Sequence, residues 1–367
     1  MTIRYTTGQW DQFKEIHRQW WAGELDRPLT PTVITHQDPG RPRPKTESLS
    51  QANCADLSVT PDEIIDRADW DLSRNEYIAD SCPIFYMHHF GPGVLAAFIG
   101  CALDNRTGHV WFHPTRDWRI EDLHFEYDPN NAWFKRICDI CAAGNKRWKG
   151  QVLIAMTDLG GVLDVISSFL PGEKLIYALI ETPDEVDRLV REAHGVWHQY
   201  YQAINEILQP VNPGHTSWSG VYCETTAYML QCDFAYMISP KMFKRFVLPE
   251  LIDSCNRLSQ SFYHLDGVGQ LPHLDSLLAA DALDGIQWIP GDGKPVCSDW
   301  LDVHQKIRRA NKKNQILNGG FSGLQKVVNH IGDGKGIVLG YQNYPESKRA
   351  EANNWLKTFG SPLLDGK

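Results

Sequence analysis

Short apolar runs alternate along the chain with longer segments whose apolar residues recur every three or four positions. This is the pattern of repeated βα units around a parallel sheet. Eight strand-like runs stand in series: PTVITH near Val33, PIFYMH near Phe85, VLIAMT near Ile154, TSWSGV near Trp218, SFYHLD near Tyr263, DGIQWI near Ile286, NQILNG near Ile316 and GIVLGY near Val338. Most neighbouring runs leave room for a helix between them. Eight such units predict an α/β fold closed into a single (β/α)8 TIM barrel rather than an open sheet. The GHVWFHP run near Trp111 is left over and reads as a hairpin or edge strand inserted after the second run.

The helices are easier to place. Residues 181–207 open on Thr182-Pro183-Asp184-Glu185 and carry Val186, Leu189, Val190 and Val196 at helical spacing. A second helix begins SPKMFKRFVLPELIDSCNRL, with Ser239 as N-cap and Pro240 in the first turn. Residues 299–310 and 322–331 are further helical segments. Residues 1–28 form an N-terminal helical extension. Residues 38–58, rich in Pro, Arg, Gln and Ser, form a surface insertion after the first strand.

Composition narrows the setting. The chain has 367 residues, 42% hydrophobic and 22% charged, enough for one large core without staples. A net charge of -9 argues against nucleic acid or an anionic membrane as the main partner. No apolar run is long enough to span a membrane, and the first residues show no leader-like apolar core. Nine cysteines, an odd number without framework spacing, fit reduced thiols and a cytoplasmic setting.

A barrel carries its chemistry on the loops after its strands. The sharpest segment there is Tyr263-His264-Leu265-Asp266-Gly267. Residues two apart on a strand share a face, so His264 and Asp266 can share a metal, or Asp266 can orient and charge-stabilise His264 for proton transfer. Asp158, before Gly160 and Gly161, is either a ligand for hydroxyls or a cation, or a helix cap. His88 and His89 precede Phe90-Gly91-Pro92-Gly93; as strand neighbours, only one of the two should face the pocket. Trp218, Tyr222, Glu224, Trp288 and Tyr341 are candidate substrate-binding residues. Cys232 is a candidate soft metal ligand, with a buried small hydrophobe as the alternative. The Cys138–Cys141 CxxC lacks a second pair and reads as structural filler. No GxGxxG, Walker A loop, GxSxG elbow or HExxH occurs.

The stretch QCDFAYMISPKMFKRFVLP (231–249), with YHLDG (263–267) and LDGIQW (283–288), resembles the uroporphyrinogen decarboxylase-like superfamily, which includes corrinoid-dependent methyltransferases and relatives of cobalamin-independent methionine synthase. Weaker similarity runs through WWAGELDRP (20–28), FGPGVLAAFIG (90–100) and DLGG (158–161). The resemblance implies a (β/α)8 barrel. WWAGELDRP lacks the arginine-rich segment that holds porphyrinogen carboxylates, so porphyrinogen decarboxylation is not expected. The zinc methyltransferases of the superfamily carry His-x-Cys at the fifth strand end and a later cysteine near the eighth. Here His264 matches the first ligand, Asp266 stands in place of the cysteine, and GIVLGYQNYP has none.

The expected function is therefore a methyltransferase-like enzyme with a small-molecule substrate. It would pass a methyl group between a small methylated compound and a corrinoid carried by a partner protein, using a divalent metal such as zinc at His264 and Asp266 or the pair as acid and base. A lyase, hydrolase or isomerase of a small polar, sugar-like substrate is the alternative. A non-catalytic ligand receptor is a third reading.

Overall fold

A computed structural model describes residues 3–361. Its strands are β1 (Thr32–Thr35), β2 (Asn75–Ile78), β3 (Ile84–Phe85), β4 (Ala102–Asp104), β5 (Trp111–His113), β6 (Leu153–Ile154), β7 (Ala227–Gln231), β8 (Gln260–Asp266), β9 (Gly285–Ile289), β10 (Lys313–Ile316), β11 (Ile337–Leu339) and β12 (Gln342–Pro345). The helices are α1 (Thr7–Ala22), α2 (Pro61–Leu72), α3 (Leu95–Phe98), α4 (Ala132–Trp148), α5 (Val162–Phe169), α6 (Lys174–Glu181), α7 (Pro183–Leu208), α8 (Pro240–Phe246), α9 (Leu248–Arg257), α10 (Leu274–Leu278), α11 (Leu301–Arg309), α12 (Gly320–Ile331) and α13 (Arg349–Thr358).

The fold is mixed α/β around a five-stranded parallel sheet, ordered β11-β10-β9-β8-β7. Beside it β1 pairs parallel with β12 and antiparallel with β2, β3 pairs parallel with β6, and β4–β5 form the expected hairpin. The described residues therefore do not form the continuous closed sheet expected from the strand count. Leu29 bridges Val338 on β11, and Met156 donates its amide to Thr216, but neither contact grows into a ladder.

One of the breaks, between β6 and β7, lies at the fourth expected strand. TSWSGV is not a strand: His215 bridges Cys223 antiparallel, so residues 215–223 fold back on themselves. The true strand is β7, whose all-buried AYMLQ lacks the polar alternation that would mark it. The expected helix beginning at Ser239 also divides, into α8 and α9. Ser239 does cap it, accepting from the Met242 amide at 3.3 Å. Pro249 has no N–H and its ring crowds the residue four positions back, so the helix breaks at Val247. Residues 38–58 contain no helix or strand, and α7 matches its expected span closely.

The two faces of the sheet have different fates. Met229, Phe262, Val338 and Leu29 form a small apolar cluster closed by Trp20 of α1, whose indole donates to the Ile337 carbonyl at 3.0 Å. The opposite face, including Tyr263, Leu265, Ile286 and Trp288, belongs to the main core under the helices.

A glycine turn sets the rim of the parallel sheet. A Cβ on Gly161 would stand 2.2 Å from the Gln231 carbonyl oxygen and 2.5 Å from an Asp164 carboxylate oxygen. Gly195, inside α7, has nothing within 4 Å of its Cβ position. Gly161→Ala is therefore expected to destabilise by about 2 kcal/mol or more. Gly195→Ala should stabilise by about 0.5–1 kcal/mol through helix propensity alone. Chemical denaturation of both variants checks the opposite signs; equal effects would refute this packing at the Gly161 turn.

Candidate active site

The parallel register places Gln231, His264, Gln287 and Gln315 in one row across β7, β8, β9 and β10. They share a sheet face, and three of them are joined by hydrogen bonds. Gln315 Nε2 donates to the Ser219 carbonyl at 2.8 Å, and Gln287 Nε2 donates to Gln315 Oε1 at 2.6 Å. Gln287 Oε1 then lies 2.5 Å from His264 Nδ1. A carbonyl only accepts, so Ser219 fixes the direction of the relay, and His264 Nδ1 must carry a proton. The Nε2 atom is left to face Asp266, whose carboxylate lies 3.7 Å away. In the neutral imidazole that Nε2 presents a lone pair, as a metal ligand or base requires.

Asp233 completes the group. Its carboxylate, a ring nitrogen of His264 and the Asp266 carboxylate all lie within 4.8 Å of one another. Asp233 follows Cys232, whose backbone is extended (φ -157°, ψ 91°), so the two side chains diverge. Cys232 is fully buried, and burial pushes its thiol well above the ordinary value. The expected soft ligand is thus core, and the ligating set holds oxygen and nitrogen only.

Charge crowding shapes this site. Burial pushes the His264 imidazole down, but Asp266, Asp233 and Gln287 outweigh it, and its pKa stands above the ordinary value. Burial pushes Asp158 up to about 7, opposed by the Gly160 amide and reinforced by Asp233. Asp158 caps the turn rather than the helix, accepting from the Gly160 amide at 3.0 Å. Asp164 accepts the amides of Asp233 (3.0 Å) and Phe234 (2.7 Å), and burial with the Asp233 charge raises it too. Asp233 opens to solvent at the cleft mouth yet is walled by protein elsewhere, and burial and Asp266 raise it while His264 opposes.

Asp233 and Asp164 line a cavity of about 300 Å³ with Gly93, Gly160 and Gln231. Gly160 takes φ +79°, and a Cβ there would stand 2.4 Å from the Gly93 Cα, so two bare backbones meet at this wall. A larger cleft of about 820 Å³ adjoins it through Pro92, Ser167, Phe234 and Met237, and the β4–β5 hairpin borders it with Trp111.

The other expected residues divide. Trp218 stands edge-on to the His264 ring, centroids 5.0 Å apart, and is a wall of the site. Tyr341 lies on the same inner side, its ring 3.3 Å from the Cβ position of Gly220, two residues from Trp218. His88 and His89 sit in a short 3-10 turn, not on a strand, so the expected opposition of their rings does not occur; the centroids are 4.5 Å apart. Both have a buried Nδ1 with no hydrogen-bond partner among the described residues, as has Trp218 Nε1.

Three expectations are corrected. Trp288 is fully buried on the opposite face from its neighbour Gln287, packed on Trp300 at 5.5 Å. Tyr222 packs on Phe13 and His17 of α1 and donates to the Pro213 carbonyl at 2.9 Å, while Glu224 is exposed. Both precede β7 rather than follow a strand, so they lie at the end away from the site. Sequence reasoning missed Asp233, Gln287 and Gln315. A glutamine at the core of each of two apolar runs, DGIQWI and NQILNG, was the available signal.

No protein-family model matches the chain, and no curated protein matches it. No helix among the described residues is long and apolar enough to cross a membrane.

Asp158 makes a testable contribution to stability. Its native pKa of about 7 lies above its unfolded value, so the native state keeps a proton the unfolded chain has lost. That stabilisation is full below about pH 4 and is lost as pH rises through about 7. Urea denaturation should show stability falling by about 2–4 kcal/mol from this residue between pH 4 and pH 8. Asp158→Asn should make the slope visibly shallower; an unchanged slope would show that Asp158 ionises normally.

Proposed function

We propose that the chain is a divergent (β/α)8-barrel enzyme that activates the heteroatom of a small polar substrate at Asp233, His264 and Asp266. The convergence of these three side chains, one of which (Asp233) lines the cavity of about 300 Å³, carries this reading. The parallel bridge from Leu29, just before β1, to Val338 of β11 supports the barrel reading at that edge of the sheet.

The donor set fits a divalent metal. One imidazole nitrogen with its opposite nitrogen held by a glutamine, plus two carboxylates, suits zinc or a related ion. With no thiolate present, thiol activation is disfavoured and polarisation of an oxygen or nitrogen is favoured. When bound, the ion would supply Lewis acidity. The chain's own residues do the rest. Gln287 holds the His264 ring, Trp218 walls it, and the buried Asp158 is the group proposed to carry a proton to the leaving heteroatom.

The superfamily resemblance favours a methyl–heteroatom bond as the one broken, with the methyl group accepted by a corrinoid on a partner protein docked at the cleft. The buried, near-neutral Asp158 equally favours a lyase or hydrolase that needs no carrier.

Metal analysis of chelator-free protein should find a divalent ion whose content falls by one equivalent in His264→Ala and in Asp266→Ala. Turnover on the substrate should fall by about 100-fold or more in each. A well-folded wild type with no ion, whose activity ignores both substitutions, would refute the site. A strict requirement for added corrinoid protein selects methyl transfer; turnover without it selects the lyase or hydrolase.

A further inference from the structure

A second cluster of ligating groups lies in the helical layer, built on elements that do not carry the first. His194 and His198 stand four residues apart on α7, hence on one helix face. Asp253 and Ser254 face them from α9. His194 Nε2 is 3.2 Å from His198 Nε2 and 3.5 Å from an Asp253 carboxylate oxygen. Ser254 Oγ is 3.1 Å from the first imidazole nitrogen and 3.0 Å from the second.

These separations have a specific meaning. Zinc–nitrogen bonds of about 2.0–2.1 Å in a tetrahedron place ligand atoms about 3.3–3.4 Å apart. Both measured edges lie within about 0.2 Å of that value. We propose that His194, His198 and Asp253 form a binding site for a zinc-class transition-metal ion, which clamps α7 to α9. Two imidazoles select a borderline ion such as Zn²⁺, Co²⁺ or Ni²⁺ over Mg²⁺ or Ca²⁺. His194 is buried while the Asp253 side chain is 47% exposed, so the ion can enter from solvent and keep a water on that side.

Without an ion, the cluster is held by Ser254, whose single hydroxyl proton serves one imidazole at a time. Arg257 also bonds Asp253, at 2.7 Å to the same carboxylate oxygen. A carboxylate has lone pairs for both a cation and a guanidinium, but the positive charge opposes a dication. Arg257→Ala is therefore expected to tighten metal binding several-fold. The clamp would also bear on the cleft: Trp197, beside His198 on α7, donates to the Gly160 carbonyl at 3.0 Å.

The test is Co²⁺ titration of the chelator-treated full chain, read by visible ligand-field absorption and by the shift in Tm on adding Zn²⁺. His264→Gln isolates this site from the one proposed above. That variant should still bind one Co²⁺ in a tetrahedral-type spectrum and gain several degrees in Tm. Both signals should vanish when His198→Gln is added and weaken at least tenfold with Asp253→Asn, whose half-exposed position spares the fold. The proposal is overturned if His264→Gln binds no Co²⁺, or if binding survives both added substitutions. Either result leaves the site at His264 to stand or fall on its own assay.

Discussion

The register of the parallel sheet is the constraint on which the candidate site rests. Side chains alternate faces along each strand, so a slip of one residue on β8 would replace His264 by Tyr263 or Leu265. The ladders prevent this by placing Gln231, His264, Gln287 and Gln315 in line. Buried amides demand partners, and Gln287 and Gln315 find them in each other, in His264 and in the Ser219 carbonyl. The irregular loop at 215–223 that interrupts the sheet is thus also what ends the relay and sets its polarity.

That polarity has electrostatic consequences. Asp158, Asp164 and Asp233 are pushed toward the neutral form by burial and by Asp158's and Asp164's exposure to the Asp233 charge. One imidazolium carries a single positive charge and cannot neutralise so many carboxyl groups. Either protons or a dication must settle the balance. Ion binding at the proposed site would therefore displace protons.

Much of the strand order was legible because apolar runs of four to six residues are conspicuous, and because the β8 motif announces its inward face through His264 and Asp266. Three kinds of residue were not. β7 is buried on all five positions and carries no alternation. Tyr222 and Glu224 were assigned to a strand end on the strength of TSWSGV, whose chain reversal depends on the His215–Cys223 bridge, a contact no propensity encodes. Trp288 was read as a wall because it follows an apolar run, although its parity with Gln287 places it in the core. Cys232 failed for the same reason: one position along an extended chain separates a buried thiol from the Asp233 carboxylate in the cleft.

Both ligand clusters show why such sites resist sequence reading even when half their members are obvious. On β8, His264 and Asp266 are two residues and about 6.6–6.8 Å of strand apart, and they lean together to 3.7 Å. On α7, His194 and His198 are one turn apart and meet at 3.2 Å. Local geometry supplies each pair, although the sequence reading singled out only the one on β8. A pair alone binds a metal weakly, and the third ligand comes from a neighbouring element: Asp233 after β7, Asp253 on α9. Its position depends on helix and strand packing over tens of residues, so the completed sites emerge only with the tertiary fold.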